Sequence, residues 1–121
     1  MQDLLRRTGL TGEQIGEVIL GQVLTAGVGQ NPARQAAIRA GLPVTTSGVT
    51  VNRFCSSGLN AVAVAAHQIQ VEGADAVIGG GIESITMMQN DLNMKNLSNP
   101  WLMDHKRDVY MPMGQTAAIV A

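Results

Sequence analysis

Apolar residues fall in short blocks along this chain, each bounded by glycine, proline or small polar residues. Residues 2 to 8 read as a short helix that Gly9 ends. After the turn "LTGEQIGE", the block Val18 to Leu24 predicts a strand bounded by glycines. "TAGVGQN" is a glycine-rich loop. "NPARQAAIRAGLP" then carries the grammar of a helix, with Asn31 as N-cap, Pro32 at the first position, an Ala-rich interior and Gly41 with Pro43 as the stop. The β-branched run Gly48 to Val51 predicts a second strand.

From Ser56 to Val71 the pattern predicts a helix that is apolar almost all round. Between Gly41 and Val71 the only charged residue is Arg53, so this helix is expected in the body of the protein. "GADAVIGGGIES" predicts a turn, a short strand from Ala76 to Ile78 and a glycine-rich exit. Strands alternating with helices imply βαβ units, an α/β fold class and a mostly parallel sheet. After Ser84 the character changes to a Met- and Asn-rich stretch with Pro100, Pro112 and no sustained periodicity. It reads as a long excursion, and "GQTAAIVA" begins a helix with no stop before Ala121. The expected division is therefore 1–84 as α/β domain and 85–121 as a second segment.

Composition narrows the functional classes. Aromatics are limited to Phe54, Trp101 and Tyr110, so packing must come from Ala, Val, Ile, Leu and seven Met, with fourteen Gly permitting close backbone approach. The net charge is −1 and the basic pairs Arg6-Arg7 and Lys106-Arg107 stand alone, which argues against nucleic acid and anionic membrane as partners. A single cysteine excludes an intrachain disulfide framework and a multi-cysteine metal site, and no metal is expected. Residues 1 to 20 carry Asp3, Arg6, Arg7, Glu13 and Glu17, and no apolar run is long enough to span a membrane. These features predict a cytoplasmic chain. Gly27 and Gly29 lack a third glycine in register and a P-loop lysine, so they make a weak phosphate cradle. The sequon-like Asn96-Leu97-Ser98 is taken as chance.

Cys55, in "VNRFCSSGLNA", admits two readings. Free cysteine is commonly a small buried hydrophobe. A cysteine at the first position of a helix instead meets unpaired amides and the helix dipole, which stabilise a thiolate and can serve a developing oxyanion. Ser56, Ser57 and Gly58 are small enough to let an acyl group approach. A nucleophile also needs a base. His67 lies twelve residues further along the same predicted helix, roughly 18 Å away along its axis. With Asn60 and Gln70 it forms a polar stripe and reads as structural. His105, in "MDHKRD", reads as a solvated residue of a charged loop.

The segments "GQVLTAGVGQNPARQAAIRAGLP", "TVNRFCSSGLNAVAVAAHQI", "ADAVIGGGIESIT" and "YMPMGQTA" follow one another as in thiolases, the acetyl-CoA acyltransferases. The resemblance runs through nearly the whole chain, and "NRFCSSG" is similar to degradative 3-ketoacyl-CoA thiolases. It implies thiolase-like βαβ layers, with Cys55 as the nucleophile that carries an acyl group between 3-ketoacyl-CoA and CoA. Asn52, Ser56, Ser57 and Gly58 match the residues that shape the cysteine turn, and Met113 matches a methionine lining the acyl pocket. The segment from 85 resembles the start of the loop domain that covers the site. CoA and acyl-CoA are implied as substrates, with no permanently bound cofactor, in fatty acid β-oxidation or acetoacetyl-CoA metabolism. A homodimer or homotetramer is implied, with the strand before the cysteine near the interface.

The departures from the family are also specific. A thiolase has a strand ahead of the position of Met1. Beyond that of Ala121 it has a second half, with an Asn-Glu-Ala-Phe segment, a Gly-His-Pro histidine and a Cys-x-Gly-Gly-Gly cysteine. Ala118 stands where the family usually has Glu. The expectation is an incomplete thiolase-like fold, lacking the first strand and the C-terminal half, and inactive by itself although its parent is an acyltransferase.

Overall fold

A computed structural model describes all 121 residues. The chain divides into two compact units, Met1–Gln89 and Asn90–Ala121. In the first, helix α1 (Gln2–Thr8) ends at Gly9, whose φ of 73° supplies the left-handed stop. Strand β1 (Glu17–Gly21), helix α2 (Pro32–Arg39), strand β2 (Ser47–Val51), helix α3 (Ser57–His67), strand β3 (Val77–Gly81) and the short helix α4 (Ile85–Met88) follow. The three strands form one parallel sheet in the order β2-β1-β3, with Ile19 in register with Val49 and Gly79. The α/β reading and the parallel sheet stand.

β1 is the central strand and is buried on both faces, as a parallel strand covered by helices must be. Val18 and Leu20 pack with Ala33, Ala37, Leu42 and Ile78 on the α2 side. Ile19 packs with Ala61 and Ala65 of α3 on the other. α2 starts as its sequence predicts. Asn31 Oδ1 accepts from the Arg34 amide at 3.3 Å, while Asn31 Nδ2 donates to the Gly48 carbonyl at 2.7 Å and ties the cap to β2.

Three elements depart from the sequence reading. β1 ends at Gly21 rather than Leu24, because the amides of Val23 and Leu24 turn to the Glu83 carboxylate instead of a strand. β3 runs from Val77 to Gly81, so its three glycines lie inside the strand and not beyond it. A Cβ on Gly79 would stand 3.0 Å from Val62 Cα and 3.1 Å from the Ala61 carbonyl oxygen, so glycine is what lets α3 lie this close to the sheet. α3 is not enclosed all round either. Ser57, Ala61 and Ala65 are its buried stripe, whereas Leu59 is 75% and Val62 49% exposed. A π-helical turn, Gln68–Glu72, follows it and stops at Gly73 with φ 75°.

The second unit is a chain of short helical pieces rather than an open excursion. It holds helix α5 (Pro100–His105), a 3-10 turn (Arg107–Tyr110) and helix α6 (Met113–Val120), and none of its residues is buried. His105 closes α5 instead of lying in a loop. Its ring stacks on Trp101 four residues earlier, with centroids 4.3 Å apart, and its Nδ1 is 2.9 Å from the Trp101 carbonyl oxygen. No helix is long and apolar enough to cross a membrane.

Candidate active site

The stretch between β2 and α3 reverses the chain in five residues. Phe54 takes a left-handed backbone, with φ 50°, which is rare for an aromatic residue. Side chains of the turn itself hold that conformation. Asn52 Oδ1 accepts from the Phe54 amide at 3.0 Å. Ser57 Oγ accepts from the Arg53 amide at 2.8 Å and donates to the Phe54 carbonyl at 2.6 Å. Ser56 Oγ donates to the Arg53 carbonyl at 2.9 Å. Asn52, Ser56 and Ser57 are thus brought together as a hydrogen-bonded frame around Cys55.

Cys55 is exposed, so it is no core residue of this unit. It sits one residue ahead of Ser56, the N-cap of α3, and not at the helix's first position. Around it the amides of Ser56, Ser57 and Asn60 donate to the carbonyls of Arg53, Phe54 and Ser56. The Gly58 and Leu59 amides donate to no carbonyl. They are first-turn amides of the kind that a helix leaves without a backbone partner.

Glycines bring the helix start onto the sheet. A Cβ on Gly21 would lie 2.5 Å from the Gly58 nitrogen and 2.6 Å from the Ser57 carbonyl oxygen, and one on Gly81 would lie 3.4 Å from Gly58 Cα. A cavity of about 560 Å³ opens at this junction of the ends of β1 and β3 with the start of α3. Cys55, Phe54, Val23, Leu24, Ile82 and Glu83 line much of it. Ligands of open α/β sheets bind at this carboxyl end of the strands.

Met113 begins α6 in the second unit and is exposed, as is Ala118. His67 is at the far end of α3, ten residues from Ser57 and about 15 Å along the axis. It is the only histidine of Met1–Gln89.

Sequence reasoning passed over two residues. Glu83 accepts from the Val23 amide at 2.7 Å and from the Leu24 amide at 3.3 Å, across some sixty positions of sequence. The signal available was its isolation, since it is the sole charged residue between Asp75 and Asp91. Gln22 is 3% exposed, and its Oε1 has no partner although its Nε2 donates to the Leu24 carbonyl at 3.3 Å.

An α/β unit that presents an accessible thiol on a strained turn, over an apolar cavity at the strand ends, is the class these features define. The family model described as "Thiolase, N-terminal domain" matches residues 1–121, and the chain belongs to that family. It is 61% identical over 84 residues to an acetyl-CoA acetyltransferase of Chromobacterium violaceum, covering 69% of this chain and 21% of that protein. It is 55% identical over 92 residues to an acetyl-CoA acetyltransferase of Allochromatium vinosum, covering 76% and 23%. The fold is similar to the crystal structure of the Bacillus anthracis acetyl-CoA acetyltransferase, with TM-score 0.66 and 40% identity over 69% of this chain and 21% of that one. It is also similar to a thiolase from Ascaris suum solved in complex with coenzyme A, with TM-score 0.56 and 41% identity over 58% and 18%. The chain spans about a fifth of the length of these relatives.

Proposed function

We propose that this chain contributes the nucleophile of a thiolase-type acyltransferase, with Cys55 as the acyl carrier. In the breakdown direction Cys55 Sγ, as the thiolate, attacks the 3-keto carbon of a 3-ketoacyl-CoA. The bond between C2 and C3 then breaks, and C2 takes a proton and leaves as acetyl-CoA. The acyl group stays on sulfur as a thioester until the thiolate of free CoA attacks it and restores the Cys55 thiolate. Condensation is the same sequence reversed.

The observation that carries this reading is the exposed Cys55 on the Phe54 turn, at the lip of the cavity. Support comes from the family match and from relatives that bear the acetyl-CoA acetyltransferase name. Asn52, Ser56, Ser57 and Gly58 shape the turn in this reading, and the start of α3 supplies donors for the developing oxyanion. CoA and acyl-CoA are the substrates, with no resident cofactor. Met113 lines the acyl pocket, the second unit opens the loop domain, and the protein works in the cytoplasm as a dimer or tetramer. Fatty acid breakdown or acetoacetyl-CoA metabolism is the setting. The test is alkylation of the full gene product by iodoacetamide, followed at the Cys55 peptide. Rapid labelling that acyl-CoA suppresses is expected; labelling that acyl-CoA leaves unchanged sinks the reading.

One observation favours a second reading for the 121 residues in isolation. The only histidine of the first unit is a helix length from Cys55, and the outer face of α3 is apolar and uncovered. On this reading the isolated chain is inert and depends on a partner segment for its base.

A further inference from the structure

We infer that Glu83 is a positioning residue for Cys55, acting through the backbone of Val23 and Leu24. This inference rests on the nucleophile role of Cys55 and extends it to a side chain that does not touch the sulfur's own turn.

β1 leaves the sheet at Gly21, and the next three residues have no strand to pair with beyond one bond from the Gln22 amide to the Val51 carbonyl at 3.0 Å. Those residues are a wall of the Cys55 cavity. Besides the bond from Gln22 Nε2 to the Leu24 carbonyl at 3.3 Å within the segment, two side chains hold them from outside. From the β3 side, the Glu83 carboxylate accepts from the Val23 amide at 2.7 Å and the Leu24 amide at 3.3 Å. From the cysteine side, Asn52 Nδ2 donates to the Val23 carbonyl at 3.4 Å, and the same Asn52 accepts from the Phe54 amide through Oδ1. Val23 is therefore held at both its amide and its carbonyl. A continuous hydrogen-bonded path runs from Glu83 through Val23 and Asn52 to Phe54, the residue whose left-handed backbone sets the direction of Cys55.

Each link has a stated role. One carboxylate oxygen of Glu83 accepts from both amides, from Val23 at 2.7 Å and from Leu24 at 3.3 Å, so what the pair requires is an acceptor oxygen at this reach. Without it, the Val23 and Leu24 amides have no protein partner and turn to water, and this part of the cavity wall loosens. Asn52 then loses a fixed partner, and the Phe54 turn keeps only its own local bonds. Small displacements of a reacting group cost rate steeply, so a device of this kind belongs to the chemical step more than to substrate binding.

Length and charge can be separated by substitution. Glu83→Gln keeps the reach and one acceptor oxygen, Glu83→Asp keeps the charge but shortens the reach, and Glu83→Ala removes both. Acylation of Cys55 in the full gene product by a short acyl-CoA is measured against thioester concentration. The Gln variant is expected within about threefold of the parent at saturation, and the Asp and Ala variants about tenfold or more below it, with half-saturation little changed. Exchange of the Val23 and Leu24 amides with deuterium, read in the same variants, is expected to accelerate in Asp and Ala but not in Gln. An Asp variant faster than Gln overturns the inference, because charge and not the grip would then matter. Equal acylation rates in all variants also overturn it. If the Ala variant does not fold, the comparison of Gln with Asp decides alone. If the parent is never acylated, the nucleophile reading fails by itself, and amide exchange that is the same in all variants then overturns the Glu83 grip separately.

Discussion

The left-handed backbone of Phe54 sits between an asparagine that caps its amide and a serine that takes its carbonyl, and the aromatic ring is 76% exposed. So the ring contributes little packing, while the backbone bears the strain. Glycine at this position removes a left-handed penalty of about 1–2 kcal/mol and adds an unfolded-chain entropy cost of about 0.5–1 kcal/mol. Phe54→Gly is accordingly expected to melt in urea within about 1 kcal/mol of the parent, whereas a loss of about 3 kcal/mol or more would mean that the ring is packed. The neighbouring residues were legible because they are contiguous: "NRFCSSG" carries its own hydrogen-bonding partners within seven positions. Glu83 was not, because its partners lie sixty positions away and nothing local marks the pairing. The offset of Cys55 from the helix start was equally hidden, since whether Ser56 or Cys55 caps α3 depends on the φ of Phe54 and not on composition.

At the level of elements, the close seating of α3 on the sheet is set by Gly21, Gly79 and Gly81. Gly21 faces backbone atoms 2.3–2.6 Å from where its Cβ would be, and backbone cannot rotate away. Gly21→Ala is expected to cost about 3 kcal/mol or more of stability, at the upper end of overpacking penalties, and to shift the start of α3. Gly16 is the contrasting position. Its nearest atom is the Ala76 carbonyl oxygen at 3.7 Å and its φ is not left-handed, so Gly16→Ala is expected to be neutral or to stabilise by up to about 1 kcal/mol. Urea melts of the two variants, compared side by side, check both. α2 could be read from its cap, proline and stop because those signals are local. β3 was cut short because glycine in a strand reads as an exit, when here it marks the helix passing overhead.

On the scale of the molecule, alternation of apolar blocks was enough to give a parallel α/β sheet, and the central place of β1 follows from its burial on both faces. What lies against the outer face of α3 was not legible, since an apolar helix looks the same whether one side or all sides are covered. Contiguous apolar side chains on one helix face, unlike single scattered ones, are a common feature of surfaces that associate. Leu59 and Val62 leave the outer face of α3 apolar and exposed, and His67, the only histidine of the first unit, stands a helix length from Cys55. The isolated chain is expected to show no thiolysis and no condensation above the rate without protein; measurable turnover, lost on Cys55→Ala, would contradict this.

A nucleophilic Cys55 stands or falls on one bond, the thioester between its sulfur and an acyl group. The direct measurement is to mix the full gene product with a short 3-ketoacyl-CoA, quench in acid and read the mass of the Cys55 peptide. This peptide is expected to gain one acyl group that free CoA discharges, and Cys55→Ala to gain none. An unmodified Cys55 peptide from a preparation that turns the substrate over would contradict it.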